Sequence, residues 1–148
     1  MPRVDKSTFL GGIWLFILAL IVAFYPPDIY QGLVYYAATY FVYLWGRHKG
    51  WPRSDFGLFL LFIAGLLDIL GNILGLFGST SWYDIFTHVF TPLATVIFVF
   101  PYVRYFSKNS SLFHNVFLAF MISVLISNIY EIGEYWVQAI FHVWPAWD

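Results

Sequence analysis

Six side chains in this sequence have the types and spacings that cation chemistry needs: Asp68, Asn72, Asp84, His88, Glu131 and Glu134. Asp84 and His88 are four residues apart, and Glu131 and Glu134 are three apart. On a helix each pair shares a face and can aim two ligands at one point. Carboxylates with a single imidazole suit zinc, manganese or iron, and an oxygen-dominated subset suits magnesium or calcium. The expected metal ligands are therefore Asp68, Asp84, His88, Glu131 and Glu134, with Asn72 as a supporting cofactor-binding group. A bound divalent metal activates water for hydrolysis or polarises an ester or phosphate. In that chemistry Glu134 is the expected catalytic base.

Each residue also has a plainer reading. Asp84 precedes an apolar run and suits the N-cap of a helix. Asp68 can be protonated and hydrogen-bonded to Asn72. A histidine such as His88 is often simply packed and satisfied, and Glu131 and Glu134 can stand in interfacial water. Ser127 and Asn128 read as helix-packing groups. The Glu-x-x-His repeat of carboxylate-bridged di-metal bundles is absent, and one histidine lies at hand. Ser79, Thr80 and Ser81 offer hydroxyls near His88, but no G-x-S-x-G elbow, P-loop, H-E-x-x-H or dinucleotide fingerprint accompanies them. No cysteine is present, which excludes disulfides, thiolate metal sites and a cysteine nucleophile.

The elements that position these groups follow from composition. Of 148 residues, 61% are hydrophobic, 24% aromatic and 10% charged, and mean hydropathy is +0.75. Soluble domains carry about 25% charged residues, and a chain this short has too little interior to hide that much apolar surface from water. Lipid is the expected solvent. The net charge of −1 and the scattered basic residues give no sign of a nucleic-acid partner. A helix needs about 20 apolar residues to cross the hydrocarbon layer. Five segments qualify, at about residues 8–25, 29–46, 56–77, 85–103 and 112–141, within one integral membrane domain, 1–148. The N-terminal apolar run has no small-residue cleavage site and reads as a retained span.

Five spans place the two termini on opposite sides. All seven basic residues (Arg3, Lys6, Arg47, Lys49, Arg53, Arg104 and Lys108) fall in the N-terminal tail, the second connection or the fourth. Those segments share one side, so the positive-inside rule makes the N-terminus cytoplasmic and the C-terminus external. Trp82, Tyr83, Tyr135, Trp136, Trp144 and Trp147 fit an outer aromatic belt. At 1.5 Å per residue, Asp68 lies about 18 Å and Asn72 about 24 Å along the third span, and Glu131 about 28 Å along the fifth. Asp84 and His88 open the fourth span from the outer side. Three helices thus bring their polar groups to one outer layer. Asp68, Gly71, Asn72 and Gly75 share helical spacing, and Gly71 with Gly75 forms a small-xxx-small pattern for close helix contact. On the same spacing Thr91 and Thr95 follow His88, and Gln138 follows Glu134. No Lys or Arg lies on that side, so no salt bridge to a basic residue of the chain is expected. Protonation, water, a metal, a cationic substrate or a partner must stabilise the carboxylates.

The stretches LDILGNILGLF, WYDIFTH and IYEIGEYW resemble the YjdF-like family of small multi-pass inner-membrane proteins. The resemblance covers roughly residues 56–136 and rests on an Asp-x-x-x-Asn helix end, an aromatic-Asp-x-x-x-His turn and a late Glu-x-x-Glu helix. It implies that Asp68, Asn72, Asp84, His88, Glu131 and Glu134 form the family's polar site. The family's small residue a few positions after the histidine is replaced here by Thr91-Pro92. That family has no settled activity, so the resemblance supports a choice of residues more than a reaction. More distantly, the Asp-x-x-x-His pair is similar to that of VanZ-like membrane proteins.

The expected protein is an all-α, five-span bundle of a prokaryotic plasma (inner) membrane, surrounded by membrane lipid. Spans three to five carry an outer divalent-metal site that acts on a lipid or envelope substrate. One alternative is an accessory subunit of a larger complex, or a homo-oligomer, with a large apolar face covered by its partner. Another is a proton or ion transporter. Apart from His114 no charged group lies between the outer cluster and the inner edge of spans three to five, which argues against a continuous relay. His142, about two turns beyond Glu134, is a further candidate ligand.

Overall fold

The computed structural model describes residues 30–141. Within them the secondary structure is all helix, with no strand: α1 Tyr30–His48, α2 Asp55–Ile73, a single turn α3 Leu76–Ser79, α4 Ser81–Phe106 and α5 Leu112–Phe141. The expected first span, the Arg3 and Lys6 charges, His142, Trp144 and Trp147 lie outside the described residues. Among the described residues three helices can cross a membrane by length and composition: α2, α4 and the Leu112–Gly133 part of α5. In α1 five tyrosines dilute the apolar run.

Helix ends follow local chemistry. Arg47 and His48 close the last turn of α1, where cations oppose the carbonyl end of the dipole. Gly50 then turns the chain at φ 72°, a left-handed value that glycine adopts without strain. Asp55 occupies the first turn of α2, the favourable end for a carboxylate. Through its buried Ser54 neighbour, whose carbonyl accepts from the Leu58 N–H at 2.8 Å, the helix starts cleanly.

The break between α2 and α4 falls earlier than the sequence pattern suggests. α2 stops at Ile73, and Gly75 turns the chain at φ 63°. Thr80 then caps the α3 turn, its hydroxyl donating to the Leu76 carbonyl at 2.7 Å. Gly75 is thus a turn residue and exposed, so it does not extend a Gly-x-x-x-Gly packing face. Gly71 is buried, and a Cβ there would collide with the rings of Phe77 and Tyr83. Of the pair, Gly71 alone admits close neighbours, the Phe77 ring of the α3 turn and the Tyr83 ring of α4.

α4 is the hub of the bundle. It packs on α2 along one side and on α5 along another, while α1 lies mainly against α2. At the α2–α4 crossing the Gly57 Cα faces the Phe98 backbone so closely that a Cβ would overlap it. The core around this crossing is aromatic: Tyr36, Tyr40, Tyr43, Phe62, Phe98 and Tyr102, with Leu58 and Leu61 between them. At 1.5 Å per residue, the 26-residue α4 and the 30-residue α5 are about 39 and 45 Å long. Both exceed the roughly 30 Å hydrocarbon thickness, so they tilt or project into the interface.

Two prolines interrupt α4, at Pro92 and Pro101. Each lacks the N–H that would close on the carbonyl four residues earlier. For Pro101 that carbonyl belongs to Ile97, and the buried Ser54 hydroxyl of the α1–α2 connection donates to it at 3.4 Å. For Pro92 it belongs to His88. Pro92 itself is used from the other side, since the fully buried Ser123 on α5 donates to its carbonyl at 2.9 Å. Pro92 thus ties α4 to α5 one turn below His88.

Candidate functional site

The start of α4 and the facing stretch of α5 carry the arrangement closest to a reactive site. α4 begins at Ser81 behind the Thr80 cap, so Asp84 is a first-turn residue and not the N-cap. Its carboxylate meets His88 Nε2 at 3.3 Å across one helical turn. The other ring nitrogen, Nδ1, meets the Glu131 carboxylate of α5 at 3.6 Å. One imidazole therefore stands between two carboxylates from two helices. The Asp84 carbonyl is engaged too, accepting from the Thr87 hydroxyl at 2.9 Å. Thr87 and Thr95 on the same helix are buried, and Thr95 donates to the Thr91 carbonyl at 2.8 Å.

The three side chains are accessible: 61% for His88, 52% for Asp84 and 54% for Glu131. Exposed ion pairs of this kind contribute little to stability, so packing alone gives no reason for their meeting. Both contacts can be donated together only by the doubly protonated ring, because a neutral imidazole has one N–H. Counting Lys and Arg alone predicts no intrachain partner for these carboxylates. His88 supplies one.

The other expected ligands are arranged differently. Asp68 is half-buried on α2 and takes no part in either of these ion pairs. Asn72 is exposed and turns back on its own helix, its amide donating to the Asp68 backbone carbonyl at 3.1 Å. Asn128, expected to pack between helices, is also exposed and donates to the Val124 carbonyl at 2.9 Å. Glu134 lies on α5 one turn beyond Glu131, and its side chain is outside the described residues. Among the described residues no three His, Asp or Glu side chains converge closely enough to hold one ion. The sequence pattern anticipates five ligands around one point. The described part brings three together as a chain of two contacts.

Around the triad lie exposed aromatics, Trp82, Tyr135 and Trp136, as an interfacial belt requires. Tyr83 departs from that belt. It is buried, its hydroxyl donates to the Leu67 carbonyl at 2.5 Å, and its ring stands edge-on to Phe77 at 5.2 Å. Next to Asp84 in sequence, it faces the opposite way and locks the start of α4 onto α2.

Sequence reasoning passed over a second polar group at the other end of the bundle. Tyr43, fully buried, donates its hydroxyl to the Asp55 carboxylate. Arg47 stacks over the Tyr43 ring at 5.9 Å. The signal was the Ser54-Asp55 helix start after Trp51-Pro52, which reads as ordinary capping until α1 is seen lying against it.

A family model described as "Predicted membrane protein (DUF2238)" matches residues 7–144. The chain belongs to this family. The match takes in all the described helices and the whole polar triad, and it agrees with the apolar, all-helical architecture. No curated protein and no solved structure matches the chain.

Proposed function

We propose that this protein spans the plasma membrane five times and binds a divalent metal ion at the outer ends of α4 and α5. The carrying observation is the placement of His88 between Asp84 and Glu131. Metal ligation requires a deprotonated imidazole nitrogen, so a metal and a proton compete for the same lone pair. The residues that would hold the ion are His88, through Nε2, and Asp84, while Glu131 at Nδ1 would orient the ring as a second carboxylate does in many histidine–metal sites. Glu134 on α5 and Asp68 on α2 would be the further oxygen donors. The His88 carbonyl, deprived of its usual helical donor by Pro92, adds a polar atom on the same turn.

The donor set is one nitrogen with several carboxylate oxygens, which fits zinc, manganese or iron better than calcium. When bound, such an ion supplies Lewis-acid activation of water toward an ester or phosphate of a lipid or envelope substrate. Glu134 is the residue we assign to accept the proton. The YjdF-like resemblance and the inward-facing N-terminus belong to the same proposal, and the distribution of basic residues supports that orientation.

A second reading is favoured by the same contacts taken as complete. A protonated His88 is then the chain's own counter-ion for Asp84 and Glu131, and the protein is an accessory membrane subunit. Metal analysis separates the two. The protein is purified in mild detergent without chelator, and elements are measured by mass spectrometry for wild type, His88→Ala and Asp84→Asn. Near-stoichiometric metal in the wild type that both variants lose supports the first reading. No metal in the wild type, even after addition of zinc, manganese or iron, eliminates it.

A further inference from the structure

The end of the bundle opposite the triad carries the charge contrast. Among the described residues every Lys and Arg lies there: Arg47, Lys49 and Arg53 around the α1–α2 connection, and Arg104 and Lys108 around the α4–α5 connection. Among the described residues the same end holds one carboxylate, Asp55, which accepts from Tyr43. His48 and His114 stand at this end as well, both exposed.

The two connections are far apart in sequence and are held together by one side chain. Trp51 packs edge-on to Tyr102 at 6.0 Å and to Phe106 at 5.0 Å. The backbone N–H of Trp51 also donates to the Gly46 carbonyl at 2.8 Å, which folds the first connection back over the end of α1. Gly46 has no side chain to obstruct that fold, and a Cβ there would press on the indole. The basic residues of both connections therefore present a single cap.

The cations are set at interfacial depth. Lys49 Nζ lies 5.3 Å from the Trp45 ring centre, and Lys108 Nζ lies 5.3 Å from the Tyr105 ring centre. Trp45, Tyr105 and Phe106 are themselves exposed at the ends of apolar helices. Aromatic rings with lysines folded over them, at the end of spanning helices, match the headgroup layer: the ring and the stem meet acyl chain, and the ammonium meets phosphate.

We propose that this basic cap is a seat for anionic phospholipid headgroups, formed jointly by the α1–α2 and α4–α5 connections and keyed by Trp51. It rests on the membrane location of the family and on the described geometry, and it is independent of the metal reading at the other end. The ligand chemistry is a phosphodiester bearing net negative charge, and the lipid source is favoured because the cations sit on exposed interfacial aromatics. A charge-only attraction would not need Trp51. A joint seat does, since without the indole the two connections lose their common anchor.

Native mass spectrometry of the detergent-solubilised protein with equimolar phosphatidylglycerol and phosphatidylcholine tests this. The wild type is expected to retain phosphatidylglycerol preferentially, and each basic residue removed from the cap lowers the preference by roughly fivefold at most. The triple variant Lys49→Gln/Arg104→Gln/Lys108→Gln then approaches parity, while Lys49→Arg/Lys108→Arg keeps the preference. Lys49 and Lys108 are exposed, so the single variants Lys49→Gln and Lys108→Gln fold and give the same reading at smaller amplitude. Trp51→Ala lowers the preference without removing any charge. Parity in the wild type, or an undiminished preference in the triple variant, overturns the proposal. Displacement of phosphatidylglycerol by excess inorganic phosphate overturns the lipid assignment and leaves a soluble-phosphate site in its place.

Discussion

His88 on α4 and Glu131 on α5 approach to 3.6 Å through Nδ1, and this contact joins two helices that are also linked by apolar packing and the Ser123–Pro92 hydrogen bond. Both partners are more than half exposed. The contact is therefore not enclosed by the described protein, and its significance is in orienting the ring more than in holding the fold.

That distinction is measurable. His88→Ala and Glu131→Gln are each expected to change unfolding stability in detergent by less than about 1 kcal/mol. Glu131→Gln is expected to weaken metal affinity about 10- to 100-fold, as loss of an orienting carboxylate does, and His88→Ala to abolish it. Thermal melts with and without added zinc or manganese read both effects, because a metal that binds only the folded protein raises the melting temperature. A zinc-dependent rise that survives in His88→Ala contradicts the assignment.

Gly57 and Gly133 make opposite predictions from the same substitution. A Cβ at Gly57 overlaps the Phe98 backbone, whereas nothing lies within 4 Å of one at Gly133. Gly57→Ala is expected to destabilise by about 1–3 kcal/mol, through forced separation of α2 and α4. Gly133→Ala is expected to be neutral or stabilising by up to about 1 kcal/mol, through helix propensity. Paired melting curves check this, and equal effects at the two sites would disprove the close crossing.

Ser54 and Pro101 are coupled through the Ile97 carbonyl. The Ser54 hydroxyl donates to an oxygen whose usual helical donor Pro101 lacks. Ser54→Ala should cost about 0.5–1.5 kcal/mol in the natural sequence. In a Pro101→Ala background the restored N–H satisfies the same carbonyl, and the cost of Ser54→Ala should shrink. A double-mutant cycle measures the coupling, and strict additivity would exclude it.

Orientation is testable on this cysteine-free chain. Single cysteines at Lys49 and Lys108 are expected to react only with a membrane-permeant reagent in intact cells. Single cysteines at Ser79 and Trp82 are expected to react with an impermeant one. All four positions are described and accessible enough for labelling or lie on the terminal turns of the helices. Labelling of Lys49→Cys from outside would invert the topology.

Much of the architecture was legible in the sequence because its cause is local. Runs of apolar residues long enough to cross lipid must be helical, since no water is there to satisfy the backbone. The expected fifth and fourth spans, 112–141 and 85–103, fall on α5 and α4, of which Leu112–Gly133 and Ser81–Phe106 are long and apolar enough to cross, whereas the expected second span, 29–46, falls on a helix, α1, that is not among the three candidates. The third was drawn four residues too long, because the pattern of apolar residues continues through Gly75 while the backbone does not. Apolar periodicity reports burial and not dihedral angle.

The meeting of Asp84 and His88 was likewise legible from spacing: four apart on one helix, they can hardly avoid each other. Contacts between helices were decided only in three dimensions. The choice of Glu131 as the partner of His88, the burial of Tyr83 beside the exposed Asp84, the turning back of Asn72 onto its own helix and the Tyr43–Asp55 bond all depend on rotation about helix axes and on the crossing at Gly57 and Phe98. A linear sequence sets the face on which a side chain emerges relative to its own neighbours. The direction that face takes toward another helix is set by packing, where one glycine or one proline shifts every side chain along the seam.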